Sequence, residues 1–98
     1  MIPKYQFLEK LTAQPYVKRL ILFGSRARGD ASERSDIDLA IDCPGASVLE
    51  WQALLDIIEN ADSLLKIDCI RYDRLSPENE LKHEIDKEGV KLYDNRKN

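Results

Sequence analysis

Long apolar runs, a surplus of cations and a set of cysteines or histidines are all missing from this sequence. Each absence removes a class of function. No stretch approaches the ~20 consecutive apolar residues that a membrane-spanning helix needs. Residues 1–12 are broken by Lys4, Glu9 and Lys10 and do not resemble a signal peptide. A soluble, cytoplasmic protein with no membrane association is expected. Lys and Arg total 15 against 18 Asp and Glu, a formal net charge of -3, which argues against a broad basic face for nucleic acid. Cys43 and Cys69 are too few and too far apart for a disulfide framework or a zinc site. His83 is the single histidine, between Lys82 and Glu84, and reads as a surface or partner-facing residue.

What is present is enough for one domain. Hydrophobic residues make up 43% of 98, so a single core is expected, with residues 1–98 forming one unit. Tyr5, Phe7, Leu8 and Leu11 suit a short helix from Pro3 to before Pro15. Val17 to Phe23 has the pattern of a strand stopped by Gly24, with a short helical turn at Ser25 to Arg28. From Asp36 to Cys43, alternation puts Ile37, Leu39 and Ile41 on a core face and Asp36, Asp38, Ala40 and Asp42 on an acidic one. Asp42 there has the pattern of an ordinary surface acid.

Ser47 and Glu50 form a capping-box signal for a helix over 48–60, with Val48, Trp51, Leu54, Leu55 and Ile58 as its apolar stripe. Leu64 to Tyr72 predicts a third strand. Cys69 is opposite in phase to Asp68 and Cys43 is in step with Ile41, so both thiols belong on the core side. Ser76-Pro77-Glu78 predicts the start of a helix to about Lys87, ended by Gly89, and Val90 to Tyr93 a last short strand. Strands alternating with helices give an α/β (α+β) class: one mixed β-sheet flanked by helices.

The chemistry is concentrated in Gly24-Ser25-Arg26-Ala27-Arg28-Gly29-Asp30 and the following Asp36-Ile37-Asp38. Gly24-x4-Gly29 after a strand invites a P-loop reading, but Asp30 stands where the phosphate-binding lysine belongs and would repel phosphate. A third glycine at dinucleotide-fingerprint spacing is missing as well. Arg28-Gly29-Asp30 also spells a cell-adhesion tripeptide, a coincidence in a chain with no secretion signal.

A different phosphate site fits. Glycine lets the backbone approach phosphate, helix-start amides point at anions, Ser25 adds a hydroxyl, and Arg26 and Arg28 add charge. Asp36 and Asp38, on one face of a strand, suit Mg²⁺, a hard ion that prefers oxygen ligands. Asp68 is the candidate third carboxylate of a two-metal site.

These residues resemble the signature of the DNA polymerase β-type nucleotidyltransferase superfamily, and most nearly its minimal single-domain (MNT) members. The resemblance spans about Val17 to Tyr93. It implies a polymerase β-like fold and Mg²⁺-dependent transfer of a nucleoside monophosphate from ATP. Asp36 and Asp38 would ligate both metal ions, and Asp68 the one that activates the acceptor. Gly24 and Ser25 would hold the triphosphate, with Arg26 or Arg28 beside it. MNT proteins pair with helical HEPN toxins, so the resemblance further implies an antitoxin that adenylylates a tyrosine of such a partner in a homo- or hetero-oligomer.

Two rivals stand beside this reading. One is an antitoxin that neutralises its partner by steric binding, with catalysis weak or lost. The other is a small-molecule nucleotidyltransferase of the aminoglycoside type, for which no acceptor-binding domain is visible.

Overall fold

The strand that carries the paired aspartates, β2 (Ile37–Asp42), lies inside the sheet and is almost wholly buried. The computed structural model describes residues 5–96. Around β2 it arranges α1 (Gln6–Thr12), β1 (Arg19–Phe23), α2 (Ser25–Arg28), α3 (Val48–Glu59), β3 (Ile67–Arg71), a 3-10 turn (Tyr72–Arg74), α4 (Glu80–Glu88) and β4 (Val90–Asp94). The four strands run in the order β3-β2-β1-β4. β1 is antiparallel to β2 and β4, while β3 is parallel to β2, so the sheet is mixed as expected.

Alternation along the strands separates two cores. Leu20, Leu22, Ile37, Leu39 and Ile41 face Phe7 and Leu11 of α1 and Leu54 of α3, all at or below 1% exposure. Cys43 joins this core and Cys69 packs against it, and burial pushes their thiols up to about 12 and about 11. The opposite face carries a smaller core of Ile21, Phe23, Ala40, Tyr72 and Ile85, closed by α4.

That second core corrects the expectation of one acidic face on β2. Ala40 is fully buried under α4, and Asp42 is no surface acid. Its carboxylate accepts a hydrogen bond from Arg19 Nε at 2.8 Å, with both side chains largely buried. Arg19 in turn lies over the Tyr72 ring, 4.7 Å from its centroid.

The helix starts show how local sequence and tertiary contact share the work. The Ser47–Glu50 capping box is formed, with Ser47 Oγ accepting from the Glu50 amide at 3.1 Å and Glu50 Oε1 from the Ser47 amide at 2.8 Å. Val48, expected in the buried stripe, is 82% exposed. A face centred on Trp51, Leu54 and Ile58 leaves Val48 about a quarter-turn away.

α4 starts at Asn79 rather than Ser76. Asn79 Oδ1 accepts from the Leu81 and Lys82 amides, while Ser76 to Asn79 closes a preceding turn. Gly89 ends α4 with an ordinary φ of -67°, not a left-handed one. Glycine is needed there for space, because a Cβ would overlap the Ile85 carbonyl and the Ile21 side chain.

α1 is capped from a distance: the Asp62 carboxylate accepts from the Gln6 and Phe7 amides at 3.1 and 3.3 Å. Pro3, the expected start of this helix, lies outside the described residues. β3 begins at Ile67 rather than Leu64, which is fully exposed.

Candidate active site

At the end of β1 the chain turns sharply through Gly24, at φ 75° and ψ -156°, into the single turn of α2. This backbone conformation favours glycine, and space demands it as well, since a Cβ on Gly24 would overlap the Asp38 carboxylate. Gly29 closes α2 in a left-handed conformation at φ 86°, with open space where a Cβ would stand. The Ser25 carbonyl accepts from the amides of Gly29 and Asp30 at 3.0 and 3.1 Å, which tightens the turn, and Ser25 itself is half-buried.

The three candidate carboxylates come to one corner of the sheet. Parallel pairing of β2 with β3 sets Asp38 opposite Asp68, so Leu39 and Cys69 turn together to the core side. Asp36 is exposed, one residue before β2. Burial raises the Asp38 carboxyl above its ordinary value, and the negative charges of Asp68, Asp36 and Glu84 raise it further, against an opposing pull from Arg28. Lys66 Nζ stands 3.6 Å from Asp68 Oδ1, an exposed pair.

Among the described residues, no three His, Cys, Asp or Glu side chains are drawn together closely enough to form a metal-ligand cluster as they stand. The donor set nevertheless fits a hard divalent cation: it is all carboxylate, Asp38 within it is partly buried, and its mutual repulsion is the kind that a cation relieves.

The two arginines divide. Arg28 is exposed at the end of α2, with Nε 3.2 Å from Asp30 Oδ2. Asp30, and more weakly Glu88 and Glu84 of α4, raise its affinity for the proton. Arg26 turns the other way, donating to the Ser35 carbonyl from Nε at 3.1 Å and Nη2 at 2.8 Å, and to the Glu33 carbonyl at 3.3 Å.

Two further charges, Glu84 and Lys66, stand near these carboxylates. Glu84 reaches the field of Asp38 only because α4 lies over this side of the sheet. No local pattern around Lys82-His83-Glu84 marks it. Lys66 differs, since it stands two residues before Asp68, just ahead of β3, and alternation over the expected strand from Leu64 to Tyr72 puts it on the same side. His83 is exposed, as expected, with Nε2 2.9 Å from the Pro77 carbonyl oxygen.

Comparison with known proteins identifies the family and the fold. Residues 6–98 match the family model for "Polymerase beta, Nucleotidyltransferase". MJ1379 of Methanocaldococcus jannaschii, whose name proposes protein adenylyltransferase activity, is 38% identical over 56 residues, 55% of this chain. The match spans 56% of that protein's length. A toxin–antitoxin crystallised with AMP-PNP superposes with a TM-score of 0.64 at 21% identity, over 93% of this chain and 73% of that one. A mutant of the toxin–antitoxin MntA–HpeT gives 0.60 at 18% identity, over 93% and 70%. With the family matched across nearly the whole chain and the mixed sheet superposing on these folds, the chain belongs to the polymerase beta nucleotidyltransferase family.

Proposed function

We propose that residues 1–98 act in the cytoplasm as a single-domain, Mg²⁺-dependent nucleotidyltransferase. It transfers AMP from ATP to a tyrosine hydroxyl of a HEPN-type toxin, and so works as an antitoxin. The observation that carries the reading is the corner at which Gly24, Asp38 and Asp68 meet: a turn with no Cβ packed on a carboxylate whose strand partner is a second carboxylate. The adenylyltransferase name of MJ1379 and the toxin–antitoxin assemblies among the structural neighbours support the acceptor and partner by analogy.

In this reading Asp36, Asp38 and Asp68 hold divalent metal, which supplies neutralisation of phosphate charge and activation of the acceptor hydroxyl. The remaining work falls to the chain. The turn at Gly24 brings the backbone of α2 close to a triphosphate, and the Ser25 hydroxyl donates to it. Arg28 adds a mobile cation. Its exposed pair with Asp30 is the kind worth little in water, so exchange of the Asp30 carboxylate for a phosphate oxygen costs little.

The test is incubation of the protein with its partner, ATP and Mg²⁺, followed by intact mass measurement. An AMP-sized addition to the partner is expected, and its loss in Asp36→Asn with Asp38→Asn. Modification that persists in the double variant would overturn the assigned site.

A further inference from the structure

We infer that Arg26 is a positioning residue, a clamp that fixes Asp36 beside Asp38 instead of binding the nucleotide. The inference deepens the proposed function and rests on it for the role of Asp36. The clamp itself rests on hydrogen bonds.

The segment from Gly29 to Ser35 joins α2 to β2 and is almost entirely polar. None of its residues is buried, so apolar packing cannot hold it. Side-chain hydrogen bonds do, beyond the weak, exposed pair of Arg28 with Asp30 at the near end. Ser35 Oγ accepts from the Ser32 amide at 2.9 Å, while the Ser35 amide donates to the Ser32 carbonyl at 3.2 Å, which makes a small closed turn. Arg26 then fastens that turn to α2.

The place it grips matters. Nε and Nη2 both converge on the Ser35 carbonyl oxygen, which belongs to the same rigid peptide plane as the Asp36 amide. On the far side, the Ile37 amide donates to the Lys66 carbonyl at 2.9 Å, and the Ile37 side chain is fully buried. Asp36 therefore lies between one plane fixed by Arg26 and one residue fixed by the sheet. Without the clamp, the plane before Asp36 is tied only to an exposed loop, and the carboxylate can swing away from Asp38. A guanidinium suits this task because its planar fork makes several directed bonds at once, and lysine cannot reproduce that geometry. A group engaged with two carbonyls is also poorly placed to turn toward phosphate.

Arg26→Met, Arg26→Lys and Arg28→Met separate the roles. In metal-free protein, hydrogen exchange at the Ser32 and Ser35 amides is expected to rise about tenfold in both Arg26 variants and to stay near wild type in Arg28→Met. Mn²⁺ affinity, read by paramagnetic resonance, is expected to fall in both Arg26 variants. Affinity for ATP in EDTA is expected to fall in Arg28→Met and to hold in Arg26→Met. Unchanged exchange at Ser32 and Ser35 in Arg26→Met would overturn the clamp. So would full rescue of exchange and Mn²⁺ binding by Arg26→Lys, or a loss of EDTA-phase ATP binding in Arg26→Met as large as in Arg28→Met. If the wild type binds neither Mn²⁺ nor ATP, the nucleotidyltransferase reading fails while the exchange comparison still decides the clamp.

Discussion

The Asp38 carboxylate occupies the space in which a Cβ on Gly24 would stand. The turn after β1 and the acid on β2 are thus one packed unit, although 14 positions separate them in the sequence. Gly24→Ala is expected to fail twice, by backbone strain at positive φ and by displacing Asp38. Gly29→Ala meets only the strain. Expected losses of stability are about 2 kcal/mol or more for Gly24→Ala and about 1 kcal/mol for Gly29→Ala. Transfer activity should fall at least about tenfold in the former, because Asp38 moves. Equal melting shifts in the two variants would contradict the contact.

Removing the Asp38 charge should stabilise the metal-free protein while ending transfer. Burial and the neighbouring acids favour the neutral form in the fold, so the ionised carboxylate at neutral pH opposes folding. In EDTA, Asp38→Asn is expected to melt a few degrees above wild type. An unchanged or lower melting temperature would show that the repulsion is not felt.

Asp62 gives a pH dependence of the opposite sign. Its carboxyl is held below the ordinary value, first by the Gln6 amide and then by further backbone amides, Phe7 among them. A lowered carboxyl contributes stability above the unfolded value of about 3.9 and loses it as pH falls through the folded value. Asp62→Ala should therefore melt a few degrees lower at pH 7, with the gap closing below about pH 4. A gap independent of pH between 3 and 7 would remove the charge from the argument.

Arg71 ties the edge strand to the turn after β2. Its Nη2 donates to the Cys43 and Ala46 carbonyls at 3.0 and 2.9 Å, and its Nε pairs with Asp73 at 3.0 Å, both side chains being about nine-tenths buried. Asp73 also accepts from the Cys43 amide at 3.0 Å. Arg71→Ala leaves a buried carboxylate and two carbonyls without this partner, an expected cost of about 3 kcal/mol in denaturant unfolding. A cost under about 1 kcal/mol would mean that water replaces the guanidinium.

The sequence made legible those features whose cause is local. Alternation through Ile37, Leu39 and Ile41 located the core side of β2. The phase of Asp68 against Cys69 put the third acid on the side of Asp38. Ser47 and Glu50 started α3 as expected. Features that depend on which element lies over which were not legible. Asp42 is paired because Arg19 reaches it, and Ala40 is buried because α4 covers that side. Glu84 enters the corner by the same route. The carboxylate that caps α1 comes from Asp62, 56 positions from the amide of Gln6. Arg26 carried a charge that suited phosphate, and only the path of the loop showed its guanidinium engaged with backbone carbonyls.

The order β3-β2-β1-β4 puts Asp68 on a marginal strand. β2 has a strand on each side and is nearly all buried, whereas no residue of β3 is fully buried and its outer side has no strand among the described residues. Local opening begins at such strands and needs far less free energy than unfolding the whole domain. The corner can therefore open at β3 before the domain as a whole unfolds. Its working lifetime is set by how long β3 stays zipped to β2, a quantity that global melting does not report and that anything seated along that edge would lengthen.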